Sequence, residues 1–122
     1  MKAKILTIFG NKFNINNKKK EVMELFDNLI NNVGKWADAK GLLKPENATK
    51  QMLKVMEEVG ETAGALAKNN EAELKDGIGD SFVTLIILAN QCGLTPNECL
   101  EAAWNEIKDR TGRTENGVFI KE

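Results

Sequence analysis

Histidine is absent from this 122-residue chain. Its absence removes the Ser-His-Asp arrangement, the histidine-based zinc sites and the commonest general base. A metal bound here would be held by oxygens, which selects a hard cation such as Mg²⁺ or Mn²⁺. Cysteine is nearly as scarce. Cys92 and Cys99 flank a Gly-Leu-Thr-Pro turn, form no disulfide framework, and read as free thiols of a reducing compartment. Arginine occurs only as Arg110 and Arg113, in one short segment, and the net charge is −1. No basic excess therefore points to a nucleic acid polymer or an anionic membrane as partner. Long apolar runs are also missing. The longest, FVTLIILA at 82–89, is far below a membrane span. The opening MKAKILTIFG has too short an apolar stretch for a signal peptide and no small-residue cleavage site after it. The expectation is a cytoplasmic protein.

Hydrophobic residues make up 42% of the chain and charged residues 29%, as in ordinary globular proteins. The length suits one domain, 1–122, with a single core. Residues 1–9 alternate loosely like a strand, and the Asn-rich 10–18 read as a loop. From about 19 to 40, Val22, Leu25, Phe26, Leu29, Ile30, Val33, Trp36 and Ala37 recur at steps of three and four. That spacing predicts an amphipathic helix stopped by Gly41. Pro45 and Asn47 open a second helix to about 68, with Met52, Met56, Val59, Ala63 and Leu66 as its apolar stripe. A third helix, about 73–92, is apolar nearly all round after Asp80, which predicts a central, buried position. Thr95 and Pro96 open a fourth, to about 110, with Cys99, Leu100, Ala103, Trp104 and Ile107 facing inward. The tail GVFIKE reads as a short strand that could pair with ILTIF near the start. The fold expected is an all-α four-helix bundle with short terminal β segments.

The chemistry concentrates in KVMEEVGETAG, residues 54–64. Glu58 and Glu61 are three apart and lie on one side of the helix together with Lys54; Glu57 lies further round. Like charges at this spacing repel, so either they spread over a solvated face or a cation holds them. On the third helix, Asp76 and Asp80 are four apart and share a face, and a carboxylate entering an apolar helix needs a partner. Metal sites in helical bundles are built from such inward carboxylates on facing helices. Each feature has an ordinary explanation too: glutamates populate solvated helix faces, Asp76 suits an early helical turn, and Trp36 and Trp104 suit a core or a pocket wall. Gly60, Gly64, Gly77 and Gly79 weigh against it. Each costs about 1 kcal/mol of helix propensity relative to Ala, and they surround the acids.

KVMEEVGETAGALAK, followed by ELKDGIGDSFVTLIILA, resembles the MazG-like nucleotide pyrophosphohydrolases of the all-α NTP pyrophosphatase superfamily. WADAKGLL at 36–43 and AAWNEIKDRTGRTENGVFIKE at 102–122 extend the resemblance to most of the chain from about residue 19. Glu57-Glu58-Val59-Gly60-Glu61 matches the EExxE motif of that family in full. The ExxD motif expected on the next helix ends at Asp80 but meets Gly77 where an acid belongs; the acid stands one residue earlier, at Asp76.

The resemblance implies cleavage of an NTP or dNTP between the α- and β-phosphates, giving the monophosphate and pyrophosphate. It implies Mg²⁺, or Mn²⁺ in its place, held by Glu58, Glu61 and Asp80 with Asp76, and Glu57 orienting a ligand or helping to activate the water. Asn105, Lys108, Arg110 and Arg113 resemble the group that contacts phosphates in the family, and Lys54 would pair with a glutamate or touch phosphate. Trp36, Lys40 and Gln51 would serve the nucleoside pocket. It further implies a homo-oligomer, a dimer or a tetramer of dimers, whose sites a neighbouring subunit completes. Two readings compete: a non-catalytic helical interaction protein, which Gly77 favours, and a superfamily relative specific for dUTP, dCTP or phosphoribosyl-ATP.

Overall fold

The computed structural model describes residues 12–122. They divide into two compact units, one ending at Leu42 and the other running from Leu43 to Glu122. ILTIF lies outside the described residues.

The first unit holds helix α1, Lys12–Ala39. It begins earlier than its apolar periodicity, so part of the segment expected to be a loop is helical. Extending an existing helix by a turn requires no new nucleus, and polar residues suffice for it. The helix stops where Gly41 turns to φ +71°. The Gly41 amide donates to the Asp38 carbonyl and the Leu42 amide to that of Ala37, closing the last carbonyls as a left-handed cap does. Leu25, Leu29 and Trp36 are all more than half exposed.

The second unit runs from a 3₁₀ turn, Pro45–Asn47, through α2, Ala48–Ala67, α3, Glu71–Gln91, and α4, Pro96–Ile107, to strands β1, Gly112–Glu115, and β2, Val118–Lys121. The turns carry their own signals. Asn69 at φ +54° ends α2, and the Asn70 side chain accepts a hydrogen bond from the Glu73 amide to cap α3. Gly93 at φ +73° ends α3. Thr95 caps α4 through the Glu98 amide, with Pro96 in its first turn.

Helices α2 and α3 form the main packing of this unit. The face of α2 that α3 covers carries Gln51, Val55, Glu58, Thr62 and Ala65, with Val55 only 5% and Ala65 2% exposed. It lies roughly a quarter turn from the apolar stripe, at about 100° per residue. The stripe itself is left outside: Met52, Met56, Val59 and Leu66 are all exposed. An apolar stripe tells which face avoids water, not which neighbour covers it. Here the nearest helix takes the side with small residues, because only there can two backbones approach closely. Helix α3 is likewise less enclosed than expected. Thr84, Ile86 and Ile87 are buried, but Ile78, Phe82 and Leu85 are exposed.

Two expectations fail at the C-terminal end. Leu100, Trp104 and Ile107 do not face inward; each is about half exposed or more, because α4 makes only slight contact with α3. The helix also ends at Ile107, so Lys108 is its C-cap and Arg110 lies beyond it. The tail does contain a strand, but β2 pairs antiparallel with β1, Gly112 opposite Lys121 and Glu115 opposite Val118. Asn116 and Gly117, at φ +50° and +77°, make the two-residue turn. Asn-Gly with two positive φ values is the turn whose twist matches a hairpin.

Candidate functional site

Every acid singled out in the sequence lies along the α2–α3 seam or beside it. Glu58 is buried, 8% exposed, and faces α3 from the middle of α2. One of its oxygens, Oε1, stands 3.3 Å from Lys54 Nζ. The other, Oε2, is buried without a hydrogen-bond partner. A buried carboxylate oxygen with no donor is costly. Lys54 also donates to Glu57 Oε1 at 3.1 Å, so one ammonium contacts both glutamates. The two glutamates raise the Lys54 pKa, Glu57 most. Lys54 is thus paired within the site.

The remaining carboxylates feel each other. The Glu61 pKa is raised, first by the Glu58 charge, then by desolvation and by Glu57. The Asp80 pKa is raised by desolvation first, then by Asp76 and by Glu58 across the seam. Both acids are therefore hard to ionise next to their neighbours, the condition that a cation would relieve. Among the described residues no three ligating side chains stand ready around one point in metal-holding geometry. The fit of a cation rests on the donor chemistry: all-oxygen ligands, an orphaned buried oxygen, and carboxylates that repel on facing helices.

A cleft of about 310 Å³ opens beside these acids. Glu61, Glu73, Asp76 and Lys68 line it, over a floor of Gly64, Ala65 and Gly77. Sequence reasoning passed over Lys68 and Glu73. Lys68 follows Glu61 by two helical turns and Glu73 precedes Asp76 by one, so the spacing could have placed both on this side. Lys68 is the cation lining an otherwise acidic cleft.

Gln51 Nε2 donates 3.1 Å to the Thr84 carbonyl, so its amide bridges the helices. Trp36 and Lys40 belong to the first unit. Trp104 is exposed rather than core. Asn105 lies in the last turn of α4, Lys108 caps it, and Arg110 follows. Arg113 is in β1, its guanidinium paired with Glu115.

The glycines divide. Nothing lies within 4 Å of where a Cβ would stand at Gly60, Gly64 or Gly79. A Cβ at Gly77 would lie 2.5 Å from Thr62 Oγ1 and 3.1 Å from Thr62 Cα. Gly77 occupies the place where the resemblance expected an acid, and the closeness of α2 accounts for the departure.

An all-α protein with acids gathered on two facing helices defines a class of carboxylate-centred helical proteins. Within it, the description "MazG nucleotide pyrophosphohydrolase domain" matches residues 46–114, more than half of the chain, and the chain belongs to that family. It is also 44% identical over 63 residues to an uncharacterized 18.2 kDa protein in the rep-hol intergenic region of Haemophilus phage HP1 (strain HP1c1). That stretch is 52% of this chain and 39% of the phage protein, so the chain spans about two-fifths of its relative. No solved structure matches the chain. No single helix among the described residues is long and apolar enough to cross a membrane.

Proposed function

We propose that the chain is a nucleoside triphosphate pyrophosphohydrolase. It cleaves NTP or dNTP between the α- and β-phosphates and releases the monophosphate and pyrophosphate. One observation carries the reading, in a chain of this family: the buried, unpartnered Oε2 of Glu58, set beside Glu61 and Asp80, whose pKa values the Glu58 charge helps to raise. The side chains that would hold Mg²⁺ are Glu58, Glu61, Asp76 and Asp80. Such an ion, when bound, supplies neutralisation of phosphate charge and a more acidic water. The chain's own residues do the rest. Lys54 keeps Glu57 and Glu58 on one side of α2, and Glu57 is placed to orient a ligand or take up a proton. Lys68 presents an ammonium to the phosphates in the cleft. Asn105, Lys108, Arg110 and Arg113 add phosphate donors from the C-terminal segment, with Arg suited to bidentate contact. Trp36, Lys40 and Gln51 stand as candidates for the nucleoside.

Gly77, the feature that favoured a non-catalytic relative, is accounted for by its contact with Thr62. Free nucleotides of the cytoplasm, rather than a polymer or a bilayer, are the ligands this reading assigns. Self-association belongs to it as well. Val59, Ile78, Phe82 and Leu85 line an apolar groove of about 220 Å³ on α2 and α3, and a second copy of the chain would cover it in a dimer or tetramer.

The test is product analysis. The purified protein is incubated with each NTP and dNTP, with Mg²⁺ or with EDTA, beside Glu61→Gln. Monophosphate plus pyrophosphate, dependent on metal and lost in the variant, is the expected result. Diphosphate plus phosphate would reject the assigned bond, and no turnover of any nucleotide would reject the reaction.

A further inference from the structure

We infer that Gly77 is a positioning residue: its missing side chain lets α3 approach α2 at Thr62, and that approach sets the Glu58–Glu61 pair against Asp76 and Asp80. The inference rests on the carboxylate centre proposed above. Position 77 is buried, and a Cβ there would meet Thr62 Oγ1 at 2.5 Å, Cα at 3.1 Å and Cβ at 3.2 Å. The first of these is far inside van der Waals contact and two of the three atoms move only with the backbone or close to it. The hydroxyl has little freedom, because it donates to the Glu58 carbonyl at 2.7 Å and lies 3.5 Å from Ser81 Oγ. Ser81 in turn donates to the Gly77 carbonyl at 2.8 Å. Thr62 is thus tied to the carbonyl of Glu58, and Gly77 to Ser81, the residue after Asp80. One methyl at 77 must push the helices apart beside the proposed carboxylate centre. Interiors are close-packed and transmit such a displacement rather than absorb it, and a metal centre requires its ligands within a few tenths of an ångström.

Gly79 is the internal control, since a Cβ there meets nothing within 4 Å. Alanine is the better helix former at both positions, so propensity alone predicts that both substitutions stabilise. Packing predicts opposite signs.

The experiment titrates Mg²⁺ alone, and Mn²⁺ in parallel, into the full chain by calorimetry, with thermal unfolding followed by circular dichroism. The proteins are the wild type, Gly77→Ala, Gly79→Ala, Thr62→Ala and Thr62→Ala/Gly77→Ala. Gly77→Ala is expected to bind metal at least ten-fold more weakly at a temperature where its helicity equals that of the wild type, and Gly79→Ala to bind like the wild type. Thr62→Ala removes the closest atom and leaves Cα and Cβ at 3.1 and 3.2 Å, so the double variant is expected to recover a clear part of the lost binding. If Gly77→Ala does not fold, the double variant decides: it must fold and bind. Wild-type affinity in a folded Gly77→Ala overturns the inference while leaving the carboxylate centre standing. A folded double variant no better than Gly77→Ala, or a double variant that does not fold, overturns it too. A wild type that binds neither metal overturns the centre and the inference together.

Discussion

The two sides of the α2–α3 pair are built on opposite terms. Along the covered side run Gln51, Val55, Glu58, Thr62, Ala65, Gly77, Ser81 and Thr84: mostly small or polar groups around one valine, with a buried acid and hydroxyls bonded back to helix carbonyls. On the open side stand Met52, Met56, Val59, Ile78, Phe82 and Leu85, large and exposed. An ordinary helix pair places its large apolar residues between the helices. The contrast teaches that the pair buries only a few apolar side chains, Val55 and Ala65 on α2 with Ile86 and Ile87 on α3, and leaves its largest ones outside. Small residues permit the approach, a few hydrogen bonds fix it, and the apolar surface remains for other contacts. The covered side holds a buried charge, and the open side leaves apolar surface exposed.

The strongest way to break this comparison is to remove charge from the covered side. Glu58→Gln is expected to lower turnover by on the order of 100-fold or more, the scale of losing one group that stabilises transition-state charge. The same variant should raise the melting temperature of the metal-free protein, because it removes a buried carboxylate whose Oε2 has no partner. Hydrolysis assays and thermal unfolding in EDTA, run on one preparation, check both signs. A variant that is both inactive and less stable would mean that the buried charge supports the fold and is not held for chemistry.

The open side is tested by placing charge on it. Phe82→Asp puts a carboxylate into the apolar groove beside Val59 and Ile78. Sedimentation should show a shift from oligomer to monomer, with the helical signal retained. If the variant keeps the wild-type mass, this face is not the contact between copies.

How much of this was legible beforehand depends on what kind of signal each part leaves. Helix positions were legible because periodicity and capping are local: Gly41, Pro45, the Asn69-Asn70 pair and Pro96 each punctuate the chain close to where helices end or begin. The acids were legible because i, i+3 and i, i+4 spacing maps directly onto a helix face. Which face meets which neighbour was not, since the Met52–Leu66 stripe dominates the pattern while Thr62 and Ala65 leave no apolar mark. Gly77 reads in sequence like Gly79, and only the approach of Thr62 separates them. The hairpin is a different case. Asn116-Gly117 is a strong local turn signal, but its first strand, GRTE, has no apolar alternation to mark it.

Acidity sharpens the comparison further. Glu61 and Asp80 both have raised pKa values, the first chiefly through the Glu58 charge and the second chiefly through desolvation. In the carboxylate range the folded chain then holds more protons than the unfolded one, so these groups' contribution to stability falls as pH rises. It is fully present below the unfolded carboxylate pKa and is lost as pH climbs through the raised folded values. Melting temperatures of the wild type and of Glu61→Gln/Asp80→Asn in EDTA should therefore diverge with rising pH, the variant becoming the more stable. Saturating Mg²⁺ should narrow the gap by stabilising the wild type alone. A constant gap would place the two acids in solvent, outside one another's field.

The smallest effect expected concerns Lys68, and it separates binding from chemistry within the cleft. Lys68 lines the cleft with Glu61, Glu73 and Asp76 but forms none of the ion pairs that tie Lys54 to Glu57 and Glu58. Among the described residues it forms no ion pair, and in the proposed reading its charge meets a ligand, whereas that of Lys54 is paired on its own helix. Lys68→Gln is expected to raise KM for a triphosphate several-fold, on the scale of about 1 kcal/mol for one charged contact, with kcat and Mg²⁺ affinity little changed. Uniform loss of binding raises KM alone, whereas a contact made only in the transition state lowers kcat. A fall in kcat at constant KM would therefore move Lys68 from holding the phosphates to stabilising the charge that develops on them as the α–β bridge breaks. An unchanged KM and kcat would assign the ammonium to solvent and leave the C-terminal Asn105, Lys108, Arg110 and Arg113 as the source of positive charge.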